Sequence, residues 1–157
     1  MKTIISTDYH ASFEAQVTAE KAFADICKVS AWWTKNIEGS TQNLNDVFTV
    51  TFGETFSKIK IGELIAGKKI LWEVLDCNLH WMHDKKEWKG TQILWEISKA
   101  GKVTRIDMTH IGLRPGIECF EDCNKGWNHY VTVSLFKLVT EAKGVPDHAN
   151  HSGRTRQ

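Results

Sequence analysis

IECFEDCNKGWNHYVTVSLFKLVT, residues 117 to 140, decides the fold of this chain. Phe120, Cys123, Trp127, Tyr130, Val131, Ser134, Leu135 and Leu138 fall on one face at helical spacing, which predicts a single long amphipathic helix. The chain before it reads mostly as strand, and no other stretch carries a comparable helical repeat. A helix of about 22 residues is roughly 33 Å long. Six or seven strands at about 4.8 Å spacing span a similar distance. The helix can therefore cross the whole sheet. A twisted sheet curving around a rod about 10 Å wide cannot touch it evenly. The expectation is an apolar cavity between the two, open at one end.

Working outward, Tyr9 to Val17 alternates, with Ala11, Phe13, Ala15 and Val17 on one face. Thr18 is placed to cap the helix AEKAFADICK, whose stripe is Ala22, Phe23, Ile26 and Cys27. A second short helical piece, Ser30 to Lys35, holds Trp32 and Trp33. Strands are then predicted over Asp46 to Phe52, Ser57 to Ile65, Lys69 to Cys77, Trp88 to Ser98 and Val103 to His110, with a weaker one within Ile37 to Gln42. Short links imply antiparallel neighbours. The fold class is α+β: a curved antiparallel sheet of six to seven strands around a long C-terminal helix, with two short helices after the first strand. Residues 1 to 142 form one domain, and 143 to 157 read as a disordered tail.

Twenty basic against 19 acidic side chains leave a formal charge of +1, too little field to attract nucleic acid. No apolar run has the length of a signal-peptide core or a membrane span, so no membrane insertion is expected and a cytoplasmic location is the default. The four cysteines, at 27, 77, 119 and 123, are then reduced thiols. Cys77, His80 and His83 lie within seven residues and Cys119 with Cys123 adds two thiols, but the ligands would have to converge from distant segments. Neither a metal nor a cofactor is expected. No phosphate-cradling loop, nucleophile elbow or dinucleotide fingerprint appears, and no catalytic residue is assigned.

Seven Trp and seven Phe either build a bulky core or wall a cavity. Phe48, Ile61, Trp72, Trp95 and Met108 supply the sheet side of the expected cavity, and Trp32 with Trp33 forms a plug or a gate. Glu63 shares a strand face with Ile59, Ile61 and Ile65. Either the strand twists or bulges and lets it reach water, or it is a polar anchor inside the cavity. His110 follows Ile106 and Met108 into the apolar register. It is either a core histidine held by a backbone carbonyl or a group that orients a ligand, with Glu63 as its partner across the cavity.

FEAQVTAEKAFADICKVSAWW, WKGTQILWEIS, TRIDMTHIGL and GWNHYVTVSLFKLV together resemble the helix-grip fold of the START-like superfamily, which includes polyketide cyclases and lipid-transfer proteins. The chain looks like the branch named for the activator of the heat-shock protein ninety ATPase. The resemblance covers nearly all of residues 9 to 142 and implies diverse apolar ligands, with only some members enzymes. It places Trp127 beside the pocket, with Tyr130 and Ser134 offering hydroxyls and Val131 between them. The leading reading is a domain that binds a small apolar or amphipathic molecule. A ligand burying about 300 Å² of apolar surface gains about 7 kcal/mol before association costs. The alternatives are a cyclase or hydrolase acting on aromatic, polyketide-like substrates, and a module in weak association with a chaperone.

Overall fold

A computed structural model of the protein describes residues 8–116 and 118–146. Strand β1 (Tyr9–Ala15) leads into helices α1 (Ala19–Cys27) and α2 (Val29–Trp32). A meander follows: β2 (Ile37–Gly39), β3 (Val47–Phe52), β4 (Thr55–Ile65), β5 (Lys69–Asn78), β6 (Gln92–Ala100) and β7 (Val103–Ile111). The sheet has seven strands in the order β1-β7-β6-β5-β4-β3-β2, all antiparallel. The two short helices carry the chain to the far edge, and the meander returns it to pair with β1. The expected helix-grip architecture is the observed one.

Local chemistry accounts for most elements. Thr18 caps α1, its hydroxyl accepting from the Lys21 amide at 3.0 Å. The inward faces are the alternating ones, including Phe48 and Val50 on β3, Ile93 and Trp95 on β6, and Ile106, Met108 and His110 on β7, all at most 1% exposed. The second short helix is Val29–Trp32 rather than residues 30 to 35, with Trp33 at its C-cap. Trp88 lies before the strand it was expected to open, in the loop between β5 and β6.

Strand β4 corrects one expectation. Ile61 pairs with Trp72 and Glu63 with Leu71, so Gly62 is an extra residue. The bulge inverts the alternation. Leu64 now packs inward, while Glu63 and Ile65 face water. A second bulge at Leu75 of β5, between the pairs Lys58–Asp76 and Ile59–Val74, shifts the alternation again, so that Cys77 is buried along with Ile70, Trp72 and Val74.

The long C-terminal helix runs from Phe120 to Glu141, but not as uniform α-helix. It is α-helical over Phe120–Trp127 (α3), π-helical over Asn128–Leu135, and α-helical again over Phe136–Glu141 (α4). Ala142, at φ 64°, ends it in a left-handed turn. The chain then turns back, and the Val145 amide donates to Ser134 Oγ at 2.7 Å. The rest of the expected tail, 147 to 157, lies outside the described residues. Among the described residues no helix is long and apolar enough to cross a membrane.

Candidate functional site, the aromatic interior

Six indoles converge where the helix faces the sheet. Trp32 of α2, Trp33 beside it and Trp72 of β5 are mutually parallel, within 6° and with centroids 5.8 to 6.4 Å apart. Trp95 of β6 stands edge-on to both Trp32 and Trp72 at 5.5 Å. Trp33 meets Trp127 of α3 at 4.9 Å, and Trp127 stacks on Trp88 at 5.8 Å. Phe48 adds an edge-on contact to Trp72 at 5.3 Å. Such pairs contribute about 0.5–1.5 kcal/mol each beyond their buried area. The cluster runs unbroken from the centre of the sheet to beneath the β5–β6 loop. In the place of the expected hollow stand these rings. Two concavities of about 440 and 340 Å³ lie elsewhere on the surface, one beside Glu118, Phe120 and Asp122, the other beside Ala19, Gly67 and Lys68.

The expected site residues divide accordingly. Trp32, Trp33, Phe48, Ile61, Trp72, Trp95, Met108, His110, Trp127, Val131 and Ser134 are all buried. Ser134 is committed: its hydroxyl donates to the Trp32 carbonyl at 2.6 Å and accepts from Val145. Tyr130 stays half-buried at the rim, 6.0 Å from the Phe52 ring. Trp32 is stitched to α1, its Nε1 donating to the Ile26 carbonyl at 3.1 Å. Glu63 does not belong to the interior. The Gly62 bulge turns it outward, its side chain is 47% exposed, and it pairs with Lys69 at 2.9 Å. The expected meeting of Glu63 with His110 is therefore corrected.

His110 is held by side chains instead of a carbonyl. Trp127 Nε1–H donates to His110 Nδ1 at 3.0 Å. An indole nitrogen only donates, so Nδ1 carries no proton. The proton of the neutral ring sits on Nε2, facing Thr91 Oγ1 at 2.9 Å, and the Thr91 hydroxyl donates to the Trp88 carbonyl at 2.6 Å. Complete burial pushes the His110 pKa down to about 3. With its lone pair taken and its proton affinity lowered, His110 serves as a neutral connector and is poorly suited to act as a base.

The β5–β6 loop, residues 79 to 91, roofs this end of the interior with Leu79, Met82 and Trp88, all buried. Two carboxylates latch it to the start of α3. Glu87 accepts from the Glu118 and Cys119 amides, both at 2.9 Å. Glu118 reciprocates, accepting from the His83 and Asp84 amides at 3.0 and 3.1 Å. Those two amides hold the Glu118 carboxyl below its ordinary range. Exposed Trp81 adds a bond to Asp122 at 3.1 Å. Under the roof lie three thiols. The Cys123 thiol and burial push Cys119 up, and burial pushes Cys77 up. Cys77, His80 and His83 do not converge: Cys77 is buried and donates to the Lys85 carbonyl, while the two histidines lie exposed beside Glu54 and Glu118.

Trp88, Thr91 and the two latching glutamates were not singled out in the sequence. The signal for them was Trp88 itself, one aromatic ring in the charged run HDKKEWKG.

No family model matches the chain, and no curated protein matches it. Solved structures do. The Aha1 dimer from Colwellia psychrerythraea aligns with 88% of this chain and 100% of its own, at 19% identity and a TM-score of 0.72. DynU16, a putative protein in the dynemicin biosynthetic locus, aligns over 89% of this chain and 49% of its own length, at 14% identity and a TM-score of 0.62. CalU16 from Micromonospora echinospora aligns over 83% of this chain and 73% of its own, at 8% identity and a TM-score of 0.60. At such identities the likeness is one of fold.

Proposed function

We propose that this domain binds a small, flat, apolar or amphipathic molecule by parting the aromatic rings between sheet and helix. The observation that supports this reading is the set of three mutually parallel indoles, Trp32, Trp33 and Trp72, continued through Trp127 and Trp88 to the roof loop. Parallel rings form a slot that a planar guest can enter without breaking a hydrogen-bonded strand. Trp33 is the ring suited to move. It sits at the C-cap of a four-residue helix that no side chain caps. Three of the four latch bonds lie at the solvent surface, where water can replace them when the roof lifts.

An enzyme reading would need a titratable pair in the interior, and Glu63 and His110 are not brought together. A chaperone association would rest on the likeness to the Aha1 dimer, which at 19% identity speaks to fold. The ligand reading is tested by titrating the protein with planar three-ring aromatics while following the indole N–H resonances in two-dimensional NMR. Binding should move the signals of Trp33, Trp72 and Trp127 and leave exposed Trp81 in place. Stationary signals for every compound up to its solubility limit would remove the proposal.

A further inference from the structure

The polar groups of the interior form a nearly closed set of pairs. Trp32 donates to the Ile26 carbonyl, Trp127 to His110, and Thr91 to the Trp88 carbonyl. The Ser134 hydroxyl both donates and accepts. Thr104 donates to the Val17 carbonyl and Tyr9 to Asn128. What remains is one-sided. Trp95 Nε1–H is buried with no oxygen or nitrogen acceptor, and its ring is 0% exposed. Trp88 Nε1–H also lacks one; the Cys119 sulfur beside it is a weak acceptor. The rings standing edge-on to Trp95, Trp32 and Trp72, bring it no oxygen or nitrogen acceptor. Buried donors are nearly always paired, so an orphan at the centre of a fold calls for an explanation.

We infer that the ligand carries a hydrogen-bond acceptor without a matching donor, such as a ring carbonyl, and that Trp95 Nε1–H is the group that receives it. This rests on the binding reading above and narrows its chemistry. Trp95 is steeply inclined to the parallel rings of Trp32 and Trp72 and 5.5 Å from each, so a planar guest lying between those two rings has Trp95 as its neighbour. A rim carbonyl gains a bond and relieves an unpaired donor. A rim N–H would set another unpaired donor beside that of Trp95.

Three compounds of one shape decide it. Fluorene has no polar atom, carbazole has an N–H donor, and 9-fluorenone has a carbonyl acceptor. The expected result is that 9-fluorenone binds at least about tenfold more tightly than fluorene. Carbazole should bind no better than fluorene, and only 9-fluorenone should move the Trp95 indole proton strongly downfield. In Trp95→Phe the advantage of 9-fluorenone should vanish. If that variant does not fold, the ranking and the Trp95 resonance in the unaltered protein still decide. Equal affinity for all three, or a preference for carbazole, overturns the acceptor inference and leaves the binding reading standing. Absence of binding by all three overturns both.

Discussion

Replacing His110 with Gln should flatten the acid side of the stability profile. In the folded protein the imidazole is neutral, because Trp127 presents an N–H to Nδ1 and the ring is 0% exposed. Its pKa, ordinarily 6.5, is pushed down to about 3 by burial. Between those two values the unfolded chain holds one more proton than the folded one, so stability falls as pH drops through that window. The contribution is fully present above about pH 6.5 and is lost progressively toward pH 3. At pH 5 the loss from this one group is about 2 kcal/mol, growing by about 1.4 kcal/mol per further unit. The amide side chain of the His110→Gln variant keeps both bonds, its carbonyl accepting from Trp127 and its NH₂ donating to Thr91, but it binds no proton. Urea unfolding followed by tryptophan fluorescence at several values between about pH 7.5 and pH 5 gives both curves. The gap between native protein and variant should close by about 2 kcal/mol over that range. Carboxylates common to both proteins cancel in the difference. Parallel curves would show that His110 does not sit neutral in the fold, and the tautomer argument would fail with it.

Two further outcomes follow from the geometry. Glu87→Gln and Glu118→Gln each weaken two charge-assisted bonds of the latch, so labelling of Cys77, Cys119 and Cys123 by a thiol reagent should speed up about fivefold or more. Cys27, buried at the C-terminal end of α1, supplies the internal control, and equal labelling of native and variant proteins refutes the latch. Gly39→Ala should cost about 2 kcal/mol or more, because Gly39 has φ 95° and a Cβ there would stand 2.3 Å from the Val47 carbonyl oxygen. Gly67→Ala, at φ 72° with open space around it, should cost about half as much, and equal losses in urea unfolding would refute the steric reading.

The strand faces were legible because alternation and burial agree over β1, β3, β6 and β7. Legibility stopped at the bulges. An extra residue changes which side every later side chain faces, and periodicity carries no mark of it beyond a glycine within the strand pattern. Gly62 in KIKIGELI was that mark, and it separates a surface Glu63 from a buried one. The candidate site was legible as a list of interior rings but not as a packing arrangement. Whether rings line a hollow or fill it depends on volumes converging from α2, β5, β6, α3 and the roof loop, which no single segment encodes. The partners of His110 lie 17 and 19 residues away in sequence, so its carbonyl-free bonding could not be read locally.

The π-helical stretch joins these threads. Cys123, Trp127, Val131, Leu135 and Val139 are all buried, at strict intervals of four. An α-helix advances about 100° per residue, so every fourth residue overshoots by about 40°, and four such steps would carry Val139 well off the face that Cys123 occupies. A π-helix is wound wider, with bonds reaching five residues back, and four of its residues fall short of a full turn. The Phe136 amide, donating to the Val131 carbonyl, makes such a bond. With α-helix over Phe120–Trp127 and Phe136–Glu141 and π-helix over Asn128–Leu135, overshoot and shortfall offset each other and the stripe stays aimed at the sheet. The spacing of four was present in the sequence, but an assumed α-helix spreads it around the axis. The same alignment keeps Trp127 turned inward, where its N–H fixes the His110 tautomer and its ring bridges Trp33 to Trp88. The winding of the helix, the neutral histidine and the continuity of the aromatic cluster are thus one constraint, imposed by residues placed four apart.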